Sequence, residues 1–511
     1  MNVSLKKREV PIKETVCSDY SRTKAECDLI VPDAKPDVAK ILQVSGRAVI
    51  TQKSVQQDKA YIQGVIRLTV VYIPEGGGIK SIFTCLDFSN VIDAKGADSS
   101  GHIWAEADLE EIDYSIVNSR KINIKCAVGI DAKISRKCNV SIPVGFEDDC
   151  PLCAKYSAVK IASSSPEEEQ CFRFRESIEV PSGKPDICEI LKINARPSFV
   201  DVKCHEDSVS LSGDIDLCAI YTSSDGEICT MEESLPFNET LEGISLPLGS
   251  VEESLTVNDI VFDTPEGVDG GCRILNIDIL ICATFKSSET IEIDTISDAF
   301  SENSPVSLSK NAYEVECLVD KSVTQIAHKE TVTVPDYLPE IHRICDCSGE
   351  ARVTGISLED GKVNINGEIL SNIIYESTSE ETPVSGMSHI SSFSQTILMP
   401  SAKENSICEA KIELDSISYN INSDQSLELR FIPSLTTMIL MNQKIETIEE
   451  ITEDKDAKDF SIAPAVIYYA DDGETVWDVA KHFLVSPEVI LSANNIDGEI
   501  LHKGQRICIF K

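Results

Sequence analysis

The sequence predicts a mainly β protein: three tandem antiparallel, sandwich-like modules, each with a short helix, followed by a small α/β domain of order βααβ. Three observations carry this reading. A motif occurs three times, as Val31-Pro32-Asp33-Ala34-Lys35-Pro36-Asp37, Val180-Pro181-Ser182-Gly183-Lys184-Pro185-Asp186 and Val334-Pro335-Asp336-Tyr337-Leu338-Pro339-Glu340. Each copy is followed at the same offsets by a glycine (Gly64, Gly213, Gly367) and then a tyrosine (Tyr72, Tyr221, Tyr375). A unit of this length is a whole domain copied in tandem. Second, the runs between motifs are rich in β-branched and aromatic residues that largely alternate with polar ones, the period of a half-buried strand. Third, residues 465–511 change character and carry two capped helix starts between two apolar strand runs.

Within each module the elements follow in order. After the first proline, Pro36-Asp37-Val38-Ala39-Lys40-Ile41-Leu42 places a proline and an acid at a helix start, with Val38, Ile41 and Leu42 at i, i+3, i+4. The pattern repeats with Ile187, Ile190 and Leu191, and with Ile341, Ile344 and Cys345, and predicts a short helix in every copy. Strands follow over residues 60–72, 209–221 and 363–375. Their central glycine signals a bulge or a close approach of another backbone. Turns at Pro74–Gly78, Ser224–Gly226 and Ser379–Glu381 make these strands hairpins. Each module closes on two more strands: 107–117 and 121–132, 254–262 and 273–285, 410–421 and 427–432.

These signals divide the chain into modules over 1–140, 141–300 and 301–445, an acidic linker over 446–464 and the C-terminal domain over 465–511. The second module begins with a partly mobile segment to about residue 170, and another such stretch lies at 298–312. The linker is expected to be disordered or loosely helical, since its acids leave no apolar stripe wide enough for a core.

Composition limits the function. The 511 residues include 85 Asp and Glu against 46 Lys and Arg, a formal charge of −39. Such a surface repels nucleic acid and anionic membranes. No apolar run reaches the length of a membrane span or an export signal, so the expected location is the cytosol. Nineteen cysteines in a long chain without such a signal are expected to be reduced thiols, with Cys126, Cys218 and Cys282 packed as small hydrophobes. Cys150/Cys153 and Cys345/Cys347 are half metal sites without a second pair at zinc spacing, and no acid pair or Ser/His/Asp set recurs between copies. No catalytic, cofactor or metal residues are therefore assigned.

In the C-terminal domain, Thr475 with Asp478 forms a capping box, Val476, Val479, Ala480 and Phe483 share a helical face, and Ser486-Pro487 starts a second helix ending near Asn494-Asn495. Gly473-Glu474-Thr475-Val476-Trp477, the Val485-Ser486-Pro487 turn, Asn494-Asn495 and Gly504-Gln505 make this domain resemble LysM domains. The resemblance implies a ligand groove between Gly473, Glu474, Thr475, Val476 and Trp477 on one side and Asn494, Asn495 and Ile496 on the other. The repeated modules resemble the family known as unknown function 3794, or SPOCS, tied to spore-coat proteins. Its pattern is seen here as the proline-spaced-proline-acid step, the isoleucine-leucine pair and the glycine-centred hairpin ending in tyrosine.

Three such modules and one LysM domain resemble the architecture of clostridial coat-morphogenesis proteins. What that implies is a non-enzymatic scaffold in the mother-cell cytoplasm, at the forespore surface and spore coat. It would bind SpoIVA, the ATPase of the coat's basement layer, through its LysM domain. The alternative is a cell-wall or cortex protein that binds peptidoglycan, an N-acetylglucosamine-containing glycan, through the same groove.

Overall fold

The structure, a computed structural model, describes residues 3–147, 151–164, 167–244, 246, 250–267, 271–379, 382–453 and 465–510. Repeat 1 consists of β1 (Leu5–Ile30), β2 (Val38–Gln56), β3 (Lys59–Pro74), β4 (Lys80–Asp93), β5 (His102–Asn118) and β6 (Lys121–Phe146). Repeat 2 has β7 (Leu152–Ser164), β8 (Glu168–Glu179), β9 (Glu189–Cys204), β10 (Ser208–Thr222), β11 (Ile228–Glu242), β12 (Ser250–Asp263) and β13 (Ile274–Ser301). Repeat 3 has β14 (Val306–Gln325), β15 (His328–Thr333), β16 (Ile341–Glu359), β17 (Lys362–Ser377), β18 (Val384–Leu398), β19 (Ile407–Ser423) and β20 (Ser426–Glu453). The C-terminal domain is β21 (Ala465–Tyr469), α1 (Val476–Phe483), α2 (Pro487–Asn494) and β22 (Arg506–Phe510).

Each repeat pairs a short antiparallel sheet with a long one. The short sheets are β2-β3-β4, β9-β10-β11 and β16-β17-β18. The long ones are built around β6, β13 and β20, each paired along its length with the repeat's first strand, which is continuous in β1 and split into β7/β8 and β14/β15 in the others. The two sheets enclose a core that in repeat 1 includes Ile62, Ile66, Tyr72, Ile122, Ile124 and Ile130, all fully buried. The sandwich expectation therefore holds.

The repeated motif residues have identifiable tasks. Tyr72, Tyr221 and Tyr375 are each 0% exposed, and each hydroxyl donates to the carbonyl of the motif's second proline, Pro36, Pro185 or Pro339, at 3.1, 3.0 and 2.8 Å. Arg120 and Arg273 hold the same loop from the other side by donating to the Val31 and Pro32, or Val180 and Pro181, carbonyls. Gly64, Gly213 and Gly367 face Phe88, Phe237 and Phe393 across the ladder, and the neighbouring strand bulges beside each of them. A Cβ at Gly367 would come within 2.6 Å of the Phe393 ring and 2.7 Å of the Arg352 carbonyl oxygen. Glycine is required there because ring and backbone both close over it.

The expected short helices are absent: Pro36–Leu42 and its counterparts lead into β2, β9 and β16, and among the described residues the helices are α1 and α2. Bulges mimic the helical spacing. The register skips Leu42, Leu191 and Cys345, so two residues oppose one on the partner strand, and in repeat 1 the core-facing positions Val38, Ile41 and Val44 recur every three residues instead of every two. Ile41, Ile190 and Ile344 enter their own repeat's core. Leu42, Leu191 and Cys345 point the other way, into one apolar cluster with Val71, Ile220 and Ile374 and with Ile79, Ile228 and Val384. These are three equivalent positions from each of three repeats, so the repeats surround a pseudo-threefold axis.

The contacts around that axis close into a ring. Ser81 Oγ donates to the Ile190 carbonyl at 2.7 Å, Thr230 Oγ1 to the Cys345 carbonyl at 3.5 Å, and a Cβ on Gly386 would come within 2.5 Å of the Leu42 carbonyl oxygen. Repeat 1 thus abuts 2, 2 abuts 3, and 3 abuts 1. A second set of links runs in the same sense. Arg67 donates to the Asn258 carbonyl (2.8 Å), Arg196 to that of Asp415, and Arg352 to that of Glu110 (3.1 Å). All three acceptors are residues skipped by the β12, β19 and β5 registers, whose carbonyls the bulge releases from the ladder. The far halves of the long hairpins pack together as three ribbons around Val10, Ile12, Val140, Ile161, Ile293, Val315 and Ile445.

Much of the two stretches expected to be partly mobile is strand in this ribbon bundle. Residues 141–146 belong to β6, 152–164 to β7, and 298–301 and 306–312 to β13 and β14. Glu446–Glu453 is the end of β20, paired with Val306–Ala312, with Ile448 and Ile451 buried and Glu449 and Glu450 facing outward. The acids concealed a strand whose apolar face is one residue wide and phase-shifted by a bulge. The rest of the expected linker lies outside the described residues.

Cysteine also departs from expectation. Cys171 and Cys282 sit opposite each other in β8 and β13 and are disulfide-bonded, a register the sequence does not display. Cys126 is buried as expected and Cys218 partly so, and burial pushes both thiols up to about 11. Cys150 lies outside the described residues.

Gly367→Ala should lower stability by about 1–3 kcal/mol in urea unfolding, the cost of overpacking, although alanine is ordinarily the better strand residue. A stabilised variant would show that the close approach is not tight.

Candidate binding groove in the C-terminal domain

The C-terminal domain is built as the sequence indicated. Thr475 is extended (φ −102°), its Oγ1 accepts the Asp478 backbone N–H at 3.2 Å, and its own N–H donates to Asp478 Oδ2 at 2.9 Å. This reciprocal cap starts α1. Val476, Val479 and Ala480 are buried against Ile490, Leu501, Ile507 and Ile509. Helix α2 begins at Pro487, although Ser486 makes no side-chain cap, and ends at Asn495 in the left-handed region (φ 49°).

The first of the two segments expected to line the groove is tied to the loop that precedes β22. Val476 N–H donates to the Glu499 carbonyl at 2.8 Å and Leu501 N–H to the Glu474 carbonyl at 2.9 Å, bridging Thr475 to Ile500. Most of the expected site residues nevertheless have internal work. Glu474 accepts the Tyr468 hydroxyl and the Asp471 N–H, which pushes the Tyr468 phenol up. Thr475 is committed to its cap, and Val476 is core. Asn494 ties α2 to β22, donating to the Ile490 and Cys508 carbonyls and accepting the Cys508 N–H at 2.6 Å. That leaves Gly473, with φ +79° and open space around it, Asn495 and the half-buried Ile496 at the groove edge. Ile500, 71% exposed beside them, was not anticipated. An isolated isoleucine in a loop carries no sequence signal.

Trp477 packs partly on the domain's own core and partly outside the domain. Its ring meets Phe300 edge-on at 5.1 Å, and its indole N–H donates to Asp298 Oδ2 at 2.9 Å. Lys481 Nζ reaches both oxygens of the same carboxylate, at 2.7 and 2.8 Å. Asp298 and Phe300 belong to the end of β13, where the register shifts beside Asp298. The domain is thus clamped to the ribbon of repeat 2. Burial raises the Asp298 carboxyl, but the Lys481 and Trp477 hydrogen bonds outweigh it and hold the group below its ordinary value. No sequence rule pairs positions this far apart. The domain brings no group of three metal-ligating side chains together among the described residues; the one that converges, Glu169, Cys171 and Cys282, lies in repeat 2.

Because docking depresses the Asp298 pKa, the clamp's contribution is complete above the ordinary carboxylate range and is lost as pH falls through the lowered value. With Trp104→Phe leaving Trp477 as the lone indole, its emission should shift red on acidification below about pH 4. Asp298→Ala should give the shifted spectrum at neutral pH, with docking weakened by on the order of 1 kcal/mol. Identical spectra for both proteins at every pH would remove the clamp.

Comparison with known families agrees with this architecture. The SipL, SPOCS domain model matches residues 37–117, 186–248 and 340–422, and the LysM domain model matches 472–510. Each SPOCS match starts at the acid of the repeated motif and runs through the hub-forming short sheet. No curated protein and no solved structure matches the chain. SPOCS domains mark a sporulation-related protein, LysM domains bind peptidoglycan and other glycans, and both are binding or scaffold domains rather than catalysts. Among the described residues no helix is long and apolar enough to cross a membrane. The chain thus carries three SipL-type SPOCS domains in tandem and a LysM domain behind them.

Proposed function

We propose that this chain is a non-enzymatic scaffold of spore-coat assembly that holds the coat ATPase SpoIVA through its LysM domain, in the mother-cell cytoplasm at the forespore surface. The observation that carries the reading is the Trp477–Asp298–Lys481 clamp. It fixes the LysM domain on the ribbon bundle, while Gly473, Asn495 and Ile500 remain exposed at the groove edge. A fixed, partly apolar edge suits a folded protein partner, because no ordering cost falls on the scaffold side when it binds. The charge of −39 favours a partner with a basic contact surface. The competing reading, peptidoglycan binding, is favoured by the LysM match itself and uses the same groove.

Asn495→Ala and Ile500→Asp are the informative variants, since neither touches the Thr475 cap, the Asn494 ties or the clamp. Each should weaken capture of purified SpoIVA roughly tenfold, the effect of about 1–2 kcal/mol at an interface contact, with the circular dichroism spectrum unchanged. Thr475→Ala is a poorer probe, because it removes a helix cap worth about 1 kcal/mol of stability. If both variants bind SpoIVA normally and instead stop sedimenting with peptidoglycan, the glycan reading replaces this one.

A further inference from the structure

We propose that Cys171 and Cys282 form a thiol–disulfide exchange site in which Cys171 is the sulfur attacked by an incoming thiolate and Cys282 is the sulfur that leaves. The two cysteines face each other across β8 and β13 and are bonded, and they differ in access and in hydrogen bonding. Cys171 is exposed and Cys282 is fully buried, so a thiolate reaches the first and is shielded from the second. Asn258 Nδ2 lies 2.9 Å from Cys282 Sγ as a donor, placed to stabilise the negative charge that develops on a departing sulfur. Asn258 is the residue skipped by the β12 register, and its backbone carbonyl accepts from Arg67 of repeat 1, which anchors the backbone at that bulge.

The surroundings fit an approaching anion. The Glu169 carboxylate lies within 4.8 Å of both sulfurs and would repel a thiolate, but Lys53 of repeat 1 pairs with it at 2.6 Å. The buried thiols elsewhere do not compete. Cys126 and Cys218 are pushed up to about 11 and Cys347 to about 12 by burial, so they are protonated and weakly nucleophilic at neutral pH.

The step balances without an external oxidant. The incoming thiolate forms a new S–S bond to Cys171 Sγ as the Cys171–Cys282 bond breaks, and the electron pair of that bond leaves on Cys282, which then takes a proton from solvent. The product is a mixed disulfide between Cys171 and a thiol-bearing molecule, and the return of Cys282 to Cys171 releases it. The ligand class is a thiol, small or protein-borne.

The full chain incubated with a glutathione redox buffer, quenched with an alkylating reagent and mapped by mass spectrometry tests this. The expected products are the internal disulfide and a form with glutathione on Cys171 and the alkyl group on Cys282. Cys282→Ser should hold glutathione on Cys171 stoichiometrically, and Asn258→Leu should slow opening of the internal disulfide roughly fivefold, the worth of one hydrogen bond to the leaving group. Three outcomes overturn the proposal: glutathione on Cys282 in preference to Cys171, two alkylated thiols throughout the oxidising range, or zinc that co-purifies and protects both thiols together. Should Cys282→Ser fail to fold, the mapping on the unaltered chain decides alone.

Discussion

The ring depends on one local irregularity: the bulge that inserts Leu42, Leu191 and Cys345 as an extra outward residue in the first strand of each repeat's short sheet. A regular strand gives each sheet one apolar face, which the sandwich consumes. By inserting one extra residue, the bulge keeps Ile41, Ile190 and Ile344 inside the repeat and adds a second outward residue, Leu42, Leu191 or Cys345, next to Gln43, Lys192 or Asp346. Three such outward side chains, with the residues beside them, make a second core that no single repeat possesses. The head-to-tail interfaces it creates are heterologous, and they close after three repeats instead of propagating.

The symmetry is approximate, and its departures fix which repeat sits where. At the position after the bulge the repeats carry Gln43, Lys192 and Asp346, all buried. Lys192 Nζ pairs with Asp346 at 2.7 Å and reaches Ser348 Oγ at 2.6 Å. Desolvation offsets most of the attraction in a pair so buried, so its main consequence is to penalise any other arrangement of the repeats. Gly386 adds a steric condition, since a side chain there would strike the Leu42 carbonyl where Ser81 and Thr230 instead donate hydrogen bonds. In the ribbons, Lys133 bridges Glu316 and Glu409 of repeat 3 at 2.5 and 3.2 Å.

Much of this was legible because repetition is visible at fixed offsets. The glycine, the tyrosine and the hairpins around them stand out three times, and the βααβ domain announces itself through caps and turns. What was hidden shares one physical cause, which is register. The spacing of Val38, Ile41 and Leu42 satisfies a helix and a doubly bulged strand equally well, and only the partner strand chooses between them. Glu446–Glu453 reads as charge because its buried residues, Ile448 and Ile451, are separated by two outward acids across another bulge. In the expected groove, the sequence does not distinguish residues free to face a ligand from residues that hold the turn. Glu474 and Asn494 are spent on internal hydrogen bonds, and Trp477 on Asp298, a partner from another repeat.

Seen this way, the SPOCS repeats are a single platform with one LysM domain fastened at the end of its ribbons, and the platform's rigidity comes from the shared hub. Hydrogen exchange of the full chain across a denaturant series, followed by mass spectrometry on peptides spanning Leu42, Leu191 and Cys345, tests that most directly. The hub predicts that all three peptides lose protection together, at one denaturant concentration. Three separate midpoints, each repeat opening on its own, would contradict it.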